Sequence, residues 1–228
     1  AASDVYKRQE LKKVCHAYGV SINEYLVAVY VWSVYTECMH GMPSERPVRV
    51  AVPVNLRPYF NSITTKNFFV MVSAEFHPTK EIYTFEEVLK SVSESLRSQI
   101  SRENLEKLFS YNVSNEKLLA ARIVPLFLKN LAMRYVYTTS ALANTATVTN
   151  IGNISVSEEY RPYVEMFHAF LAMSKGQHLK GTICSYGDTL VFSFSYDLTD
   201  TSVQRGFFRK IAADGIAVEI ETNGVNYE

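Results

Sequence analysis

Hydrophobic positions along this chain fall into two periods, and the switches between them mark the elements. Val48, Val50, Val52 and Val54 alternate with other residues, the period of a half-buried strand. Phe68 to Phe76 is a second strand candidate, and Thr147 to Ile151 a short apolar third. Leu179 to Tyr186 and Thr189 to Tyr196 flank Gly187-Asp188, a two-residue turn of the kind that closes a tight hairpin. Val218 to Glu221 adds an edge strand.

Helical spacing fills the intervals. Ser21-Ile22-Asn23-Glu24 is a capping box, in which the serine accepts from a free N–H of the first turn while the glutamate reaches back. It opens a helix running to Gly41, and Glu10 to Tyr18 forms a shorter helix before it, ended at Gly19. The apolar run Tyr25 to Tyr35 is too short to span a bilayer and predicts a helix buried on most faces. Thr84-Phe85-Glu86-Glu87 opens a second long helix, with Phe85, Val88, Val92, Leu96 and Ile100 along one stripe. Thr201-Ser202-Val203-Gln204 opens a third, carrying Val203, Phe207, Phe208 and Ile211 and stopping at Gly215. Leu118 to Tyr137 predicts a further helix, with Pro125 either near its start or at a kink. Some strands adjoin as a hairpin and others are separated by helices, so the pattern predicts an α/β (α+β) two-layer sandwich, a mixed β-sheet covered by helices.

Composition narrows the class without choosing a function. With 47% hydrophobic and 20% charged residues the chain is ordinarily globular. Lys+Arg and Asp+Glu both total 23, which argues against a nucleic-acid footprint. Cys15, Cys38 and Cys184 lack metal-ligand spacing and are expected as free thiols in a reducing, cytoplasmic compartment. No metal site and no integral membrane contact are expected. Ala1 to Gln9, AASDVYKRQ, resembles the translation of a sequencing-library adaptor, so the native domain is taken as residues 10–228.

Three stretches, in this order, resemble the C-terminal lobe of the chloramphenicol acetyltransferase-like and condensation-domain acyltransferase superfamily. Leu11 to Tyr35 is similar to the paired helices that begin that lobe. Val50 to Phe69, VAVPVNLRPYFNSITTKNFF, is similar to a strand, a Pro-Val-Asn-Leu-Arg-Pro turn and the Asn-Phe-Phe opening the next strand. Thr149-Asn150-Ile151-Gly152 is like the Ser-Asn-x-Gly that ends a later strand. The nearest branch is that of alcohol acetyltransferases and wax ester synthases.

The resemblance implies one lobe of a two-lobed, CoA-dependent enzyme with a tunnel where the lobes meet. It implies an acyl-CoA or acyl-carrier-protein thioester as co-substrate, no permanently bound cofactor, and an alcohol or amine as acyl acceptor. The family's general base is the second His of a His-His-x-x-x-Asp-Gly motif, since a neutral hydroxyl is a poor nucleophile until a positioned imidazole takes its proton. His16, His40, His77, His168 and His178 are never paired, and none has Asp four residues later. The base is therefore expected upstream, on a missing N-terminal lobe that is this chain's natural partner. The alternative is a non-catalytic binding or interaction protein of the same fold.

Within the chain, Asn67, Thr149, Asn150 and Gly152 are the expected tunnel-lining residues, and Asn55 and Arg57 the structural anchors. Each has an ordinary reading beside the functional one. Arg57 either holds a carboxylate by a bidentate pair or is a solvated turn arginine. Asn55 holds its turn through its side chain, and Asn67 either borders the tunnel or bonds its own backbone. Gly152, a glycine in a strand-like run, marks close approach of a ligand or a second backbone.

Overall fold

In chain order the computed structural model, which describes residues 2–117, 124–174 and 176–222, consists of β1 (Ala2–Lys7), α1 (Arg8–Ala17), α2 (Ile22–Ser33), β2 (Val48–Asn55), a single turn α3 (Arg57–Phe60), β3 (Phe69–Phe76), α4 (Phe85–Gln99), α5 (Arg102–Lys117), α6 (Leu126–Leu142), β4 (Ala146–Asn153), β5 (Leu179–Tyr186), β6 (Thr189–Tyr196), α7 (Ser202–Ala213) and β7 (Glu219–Thr222). The strands form one sheet in the order β3-β2-β4-β5-β6-β1-β7. β2, β4 and β5 run parallel, and every other neighbouring pair is antiparallel.

One face of this sheet carries the apolar alternation and meets the helices. Val48, Val50 and Val52 of β2, Val70, Val72 and Phe76 of β3, and Leu190, Phe192 and Phe194 of β6 are all buried. The ring of Tyr30 on α2 stacks on Phe194 at 5.8 Å, and Phe207 on α7 lies 4.4 Å from Phe192. Tyr35 meets Phe76 edge-on at the other end of the sheet. α2 thus runs through the middle of the core, and Tyr25 to Val31 are each 0% exposed. The result is the expected two-layer α/β sandwich with a mixed sheet.

The capping boxes at Ser21 and Thr84 both form: each hydroxyl accepts from the backbone three residues on, and each glutamate accepts from the cap's own N–H. The third expected cap does not. Thr201 makes no capping bond, and the Asp200 carboxylate instead accepts from the Ser202 N–H at 2.9 Å. A charged acceptor one residue earlier displaces a neutral one. The helix expected to reach Gly41 ends as an α-helix at Ser33 and continues as a π-turn over Val34–Cys38. The hydroxyls of Ser33 and Thr36 donate back to the Val29 and Trp32 carbonyls, which competes with the regular ladder. Gly41 (φ +70°) then closes the segment, its carbonyl accepting from the Tyr35 hydroxyl at 2.7 Å.

Pro125 precedes the first residue of α6, so it starts that helix and does not kink it, while 118–123 of the expected helix lie outside the described residues. α5 has no counterpart in the sequence reading. Residues 2–7, the adaptor-like segment, occupy the lane between β6 and β7, with Tyr6 2% exposed. The open edge of β3 is covered by α4, where Ser91, Ser95 and Gln99 bond the backbone of Ser73 and Glu75. This removes an exposed strand edge from solvent.

Candidate functional site

The other face of the sheet has no complete helical layer, and its chemistry is polar. In register across β4, β5 and β6 stand Thr147, Lys180 and Ser195, and beside that row Thr149, Thr182 and Ser193. Lys180 is 7% exposed, and its ammonium donates to the Ala172 carbonyl at 2.8 Å and the Ser174 hydroxyl at 2.5 Å. The Cys184 thiol donates to the Phe167 carbonyl at 3.0 Å, and Phe167 packs edge-on against Tyr186. An irregular strap, residues 164–173, therefore lies over β5. Beneath it the Thr182 and Ser193 hydroxyls are buried and meet no hydrogen-bond partner among the described residues. Desolvation of such groups without a partner costs about 1–3 kcal/mol each.

β2 and β4, the parallel strands that meet at the middle of the sheet, pair only at Val50–Ala146 and Ala51–Thr147. On its other side β2 stays paired with β3 from Val48–Phe76 to Asn55–Phe69. Beyond Ala51 and Thr147 the two strands part, so the gap opens toward their carboxyl ends. Pro53 lies two residues past the last pair and has no N–H with which to continue a ladder. On the outer face, from the last pair toward the amino ends of β4 and β5, is a cavity of about 510 Å³ lined by Ala51, Met71, Asn144, Thr147, Ser174 and Gln177, among others, and by none of the six expected site residues. A larger cavity, about 690 Å³, is an open groove between β3 and α4 lined by Glu75, Glu87, Lys90 and Glu94. Its charged, solvated walls suit water better than an apolar substrate, so the smaller cavity is the stronger candidate.

The six expected site residues lie apart from this cavity, toward the carboxyl ends of β2 and β4 and the start of β3. Asn55 Oδ1 accepts from the Arg57 N–H at 3.1 Å and from Arg57 Nη1 at 3.2 Å. Arg57 Nε donates to the Thr64 carbonyl at 2.8 Å and Nη2 to the Lys66 carbonyl at 2.6 Å. The guanidinium thus holds the loop between β2 and β3 through backbone oxygens, and Asn55 closes the turn. Asn67 is exposed just before β3. Thr149 sits half-buried on the outer face beside Thr182. Asn150 is exposed, and its Oδ1 accepts from the Gly152 N–H at 2.8 Å across a bulge that leaves Ile151 54% exposed. Gly152 has φ +87°, a conformation open to few residues with a side chain, and nothing lies within 4 Å of an added Cβ. Its position is set by backbone conformation, and the space beside it is open.

No histidine serves this end. His77 follows β3 and His178 precedes β5, both at the opposite end of the sheet, where they face Glu75 (3.4 Å) and Asp197 (3.0 Å). His168 lies on the strap, 3.4 Å from Glu221 of β7. Among the described residues no three His, Cys, Asp or Glu side chains converge as a metal site. The buried Lys180–Thr182–Ser193 cluster was not singled out from the sequence. Its one signal there is a lysine inside an otherwise strand-like run.

Three comparisons with known proteins bear on this geometry. No protein-family model matches the chain, and no curated protein matches its sequence. Solved structures do match. The chain is similar to the wax ester synthase/diacylglycerol acyltransferase of Marinobacter aquaeolei VT8 at 15% identity and TM-score 0.51, covering 93% of this chain and 48% of that one. It is similar to trichothecene 15-O-acetyltransferase of Fusarium sporotrichioides at 12% identity and TM-score 0.62, covering 94% and 46%. The epimerization domain from the third module of tyrocidine synthetase B matches at 12% identity and TM-score 0.56, covering 94% and 47%. The chain therefore shares its fold with part of each of these structures. It spans about half the length of each.

Proposed function

We propose that this chain is the C-terminal half of an acyltransferase that moves an acyl group from a CoA or carrier-protein thioester to an alcohol or amine. The observation that carries the reading is the match of nearly the whole chain to about half of proteins named as acyltransferases. In this reading the N-terminal lobe supplies a histidine as general base. Its imidazole takes the proton of the acceptor O–H or N–H as that atom attacks the thioester carbonyl. The C–S bond then breaks, and the thiolate leaves and recovers the proton from the imidazolium. General-base assistance of this kind contributes about 10²- to 10⁴-fold.

This half supplies the opposite wall. The gap between β2 and β4, with Asn67, Thr149, Asn150 and Gly152 near it, receives the extended thioester arm, since unpaired strand edges and a glycine with open space beside it admit a thin chain closely. Asn55 and Arg57 keep the rim of that gap in shape. The alternative, a binding protein of the same fold without chemistry, is favoured only by the absence of a paired histidine from this chain. Thiol release from acyl-CoA in the presence of an alcohol, measured on the longer product of the source gene, separates the two. Turnover lost on replacing one upstream histidine supports the enzyme, and thioester binding with no thiol release supports the alternative.

A further inference from the structure

A buried ammonium calls for a counter-charge, since neutral acceptors repay only part of the hydration it gives up. Lys180 is 7% exposed, and its two acceptors, the Ala172 carbonyl and the Ser174 hydroxyl, are both neutral. No carboxylate among the described residues pairs with it. Asp197, at the same end of β6, pairs with His178 instead, at 3.0 Å. The charge on Lys180 is therefore unmatched among the described residues.

The cavity of about 510 Å³ adjoins this charge. Thr147, across from Lys180 in the β4–β5 register, and Ser174, which accepts from the ammonium, both line it. Because Ser174 Oγ accepts from Lys180 at 2.5 Å, its own O–H is left to donate, and it meets no acceptor among the described residues. A turn in which the Gln177 N–H donates to the Ser174 carbonyl at 3.0 Å holds Gln177 beside it. Gln177 Oε1 accepts from the Thr147 hydroxyl at 3.4 Å, which leaves the amide's Nε2 as a donor. No lining residue is charged, and Ala51, Met71 and Tyr137 give the cavity an apolar side. Donors backed by one buried cation, facing apolar surface, suit an anion with an apolar body. One lysine balances one negative charge, which fits a carboxylate better than a doubly charged phosphate. We propose that this cavity binds a small monocarboxylate with an apolar body, the carboxylate resting on the Ser174 hydroxyl and the Gln177 amide with Lys180 as its counter-charge. None of the six expected site residues lines the cavity, so this site is separate from the strand gap.

Titration of the 228-residue chain with octanoate, 1-octanol and inorganic phosphate, followed by ligand-observed NMR and by melting temperature, tests this. Octanoate is expected to bind and to raise the melting temperature. The uncharged 1-octanol, of the same length, should bind about tenfold more weakly. Lys180→Met keeps the stem's shape and removes the charge, so it should weaken octanoate roughly tenfold and leave 1-octanol unchanged. Ser174 is half-buried, so Ser174→Ala is expected to keep the fold while weakening octanoate about fivefold. That second variant carries the test should Lys180→Met fail to fold. Absence of octanoate binding, equal affinity for octanoate and 1-octanol, or octanoate affinity unmoved by Ser174→Ala overturns the proposal. So does tighter binding of inorganic phosphate than of octanoate, since the site then selects charge without an apolar body. Thiol release by the longer gene product reads the acyl-transfer proposal separately and is unaffected by either outcome.

Discussion

Glu24→Gln is the substitution whose consequence the structure specifies most fully. The carboxylate is 11% exposed and accepts four hydrogen bonds: from the Ser21 N–H (2.7 Å), the Ser93 hydroxyl (3.0 Å), and Arg97 Nε (2.6 Å) and Nη2 (3.2 Å). Burial alone raises its pKa, but the bonds from Arg97, Ser21 and Ser93 outweigh burial and hold it at about 2, against an ordinary 4.5. A drop of that size corresponds to roughly 3 kcal/mol of folding stability. Arg97 is 58% exposed, so solvent screening reduces this to about 1–2 kcal/mol. Because the folded-state pKa is depressed, the stabilisation is complete above the unfolded value and is lost as pH falls from 4.5 through about 2. Glu24→Gln should therefore lower the urea midpoint by roughly 0.5–1 M near neutrality, taking a slope of about 2 kcal/mol/M. The gap between the two proteins should hold constant down to about pH 5 and narrow steadily below it. An equal gap at neutral and strongly acid pH, or no gap at neutrality, would refute the reasoning.

Other parts of the molecule give further tests. Gly181→Ala places a Cβ 2.6 Å from Phe192 Cζ and 3.2 Å from Val148 Cγ2, where Phe192 is itself wedged against Phe207, so it should cost about 1–3 kcal/mol in urea unfolding; a neutral result would show that the core there can yield. Burial pushes the Cys15 thiol up to about 12 and raises Cys38 and Cys184 as well, but only Cys38 is exposed, so native-state alkylation followed by mass spectrometry should label Cys38 first and Cys15 last, an order that early labelling of Cys15 would contradict. Arg57→Ala should leave the melting temperature almost unchanged while speeding amide hydrogen exchange across residues 57–67; unchanged exchange would mean that the guanidinium does not hold the loop.

Local chemistry was readable where one short segment decides the outcome. Ser21 and Thr84 each meet their glutamate within a single helical turn, so both boxes form as the sequence implies. Thr201 fails because the competing Asp200 is just as local but charged. α5 escaped notice because of its burial pattern, in which Leu105 is fully buried while Leu108 and Tyr111 stay exposed, so no sustained stripe marks it. The site divides in the same way. Asn55 and Asn150 are remote in sequence and share one end of the sheet only because β2 and β4 are parallel neighbours, a fact that no periodicity contains. Only the resemblance brought them together beforehand. Lys180, Thr182 and Ser193 stayed hidden because alternation along β5 and β6 separates two faces but does not reveal that a strap buries the polar one.

The central claim is that this polypeptide is one wall of an acyl-transfer site and not the whole of it. Thiol release from acyl-CoA with an alcohol acceptor, followed for the 228-residue chain alone and again with the N-terminal half of the gene product added, tests it most directly. The account predicts a rate indistinguishable from the uncatalysed blank for the chain alone, and turnover when both halves are present. Acyl transfer by the chain alone would contradict it.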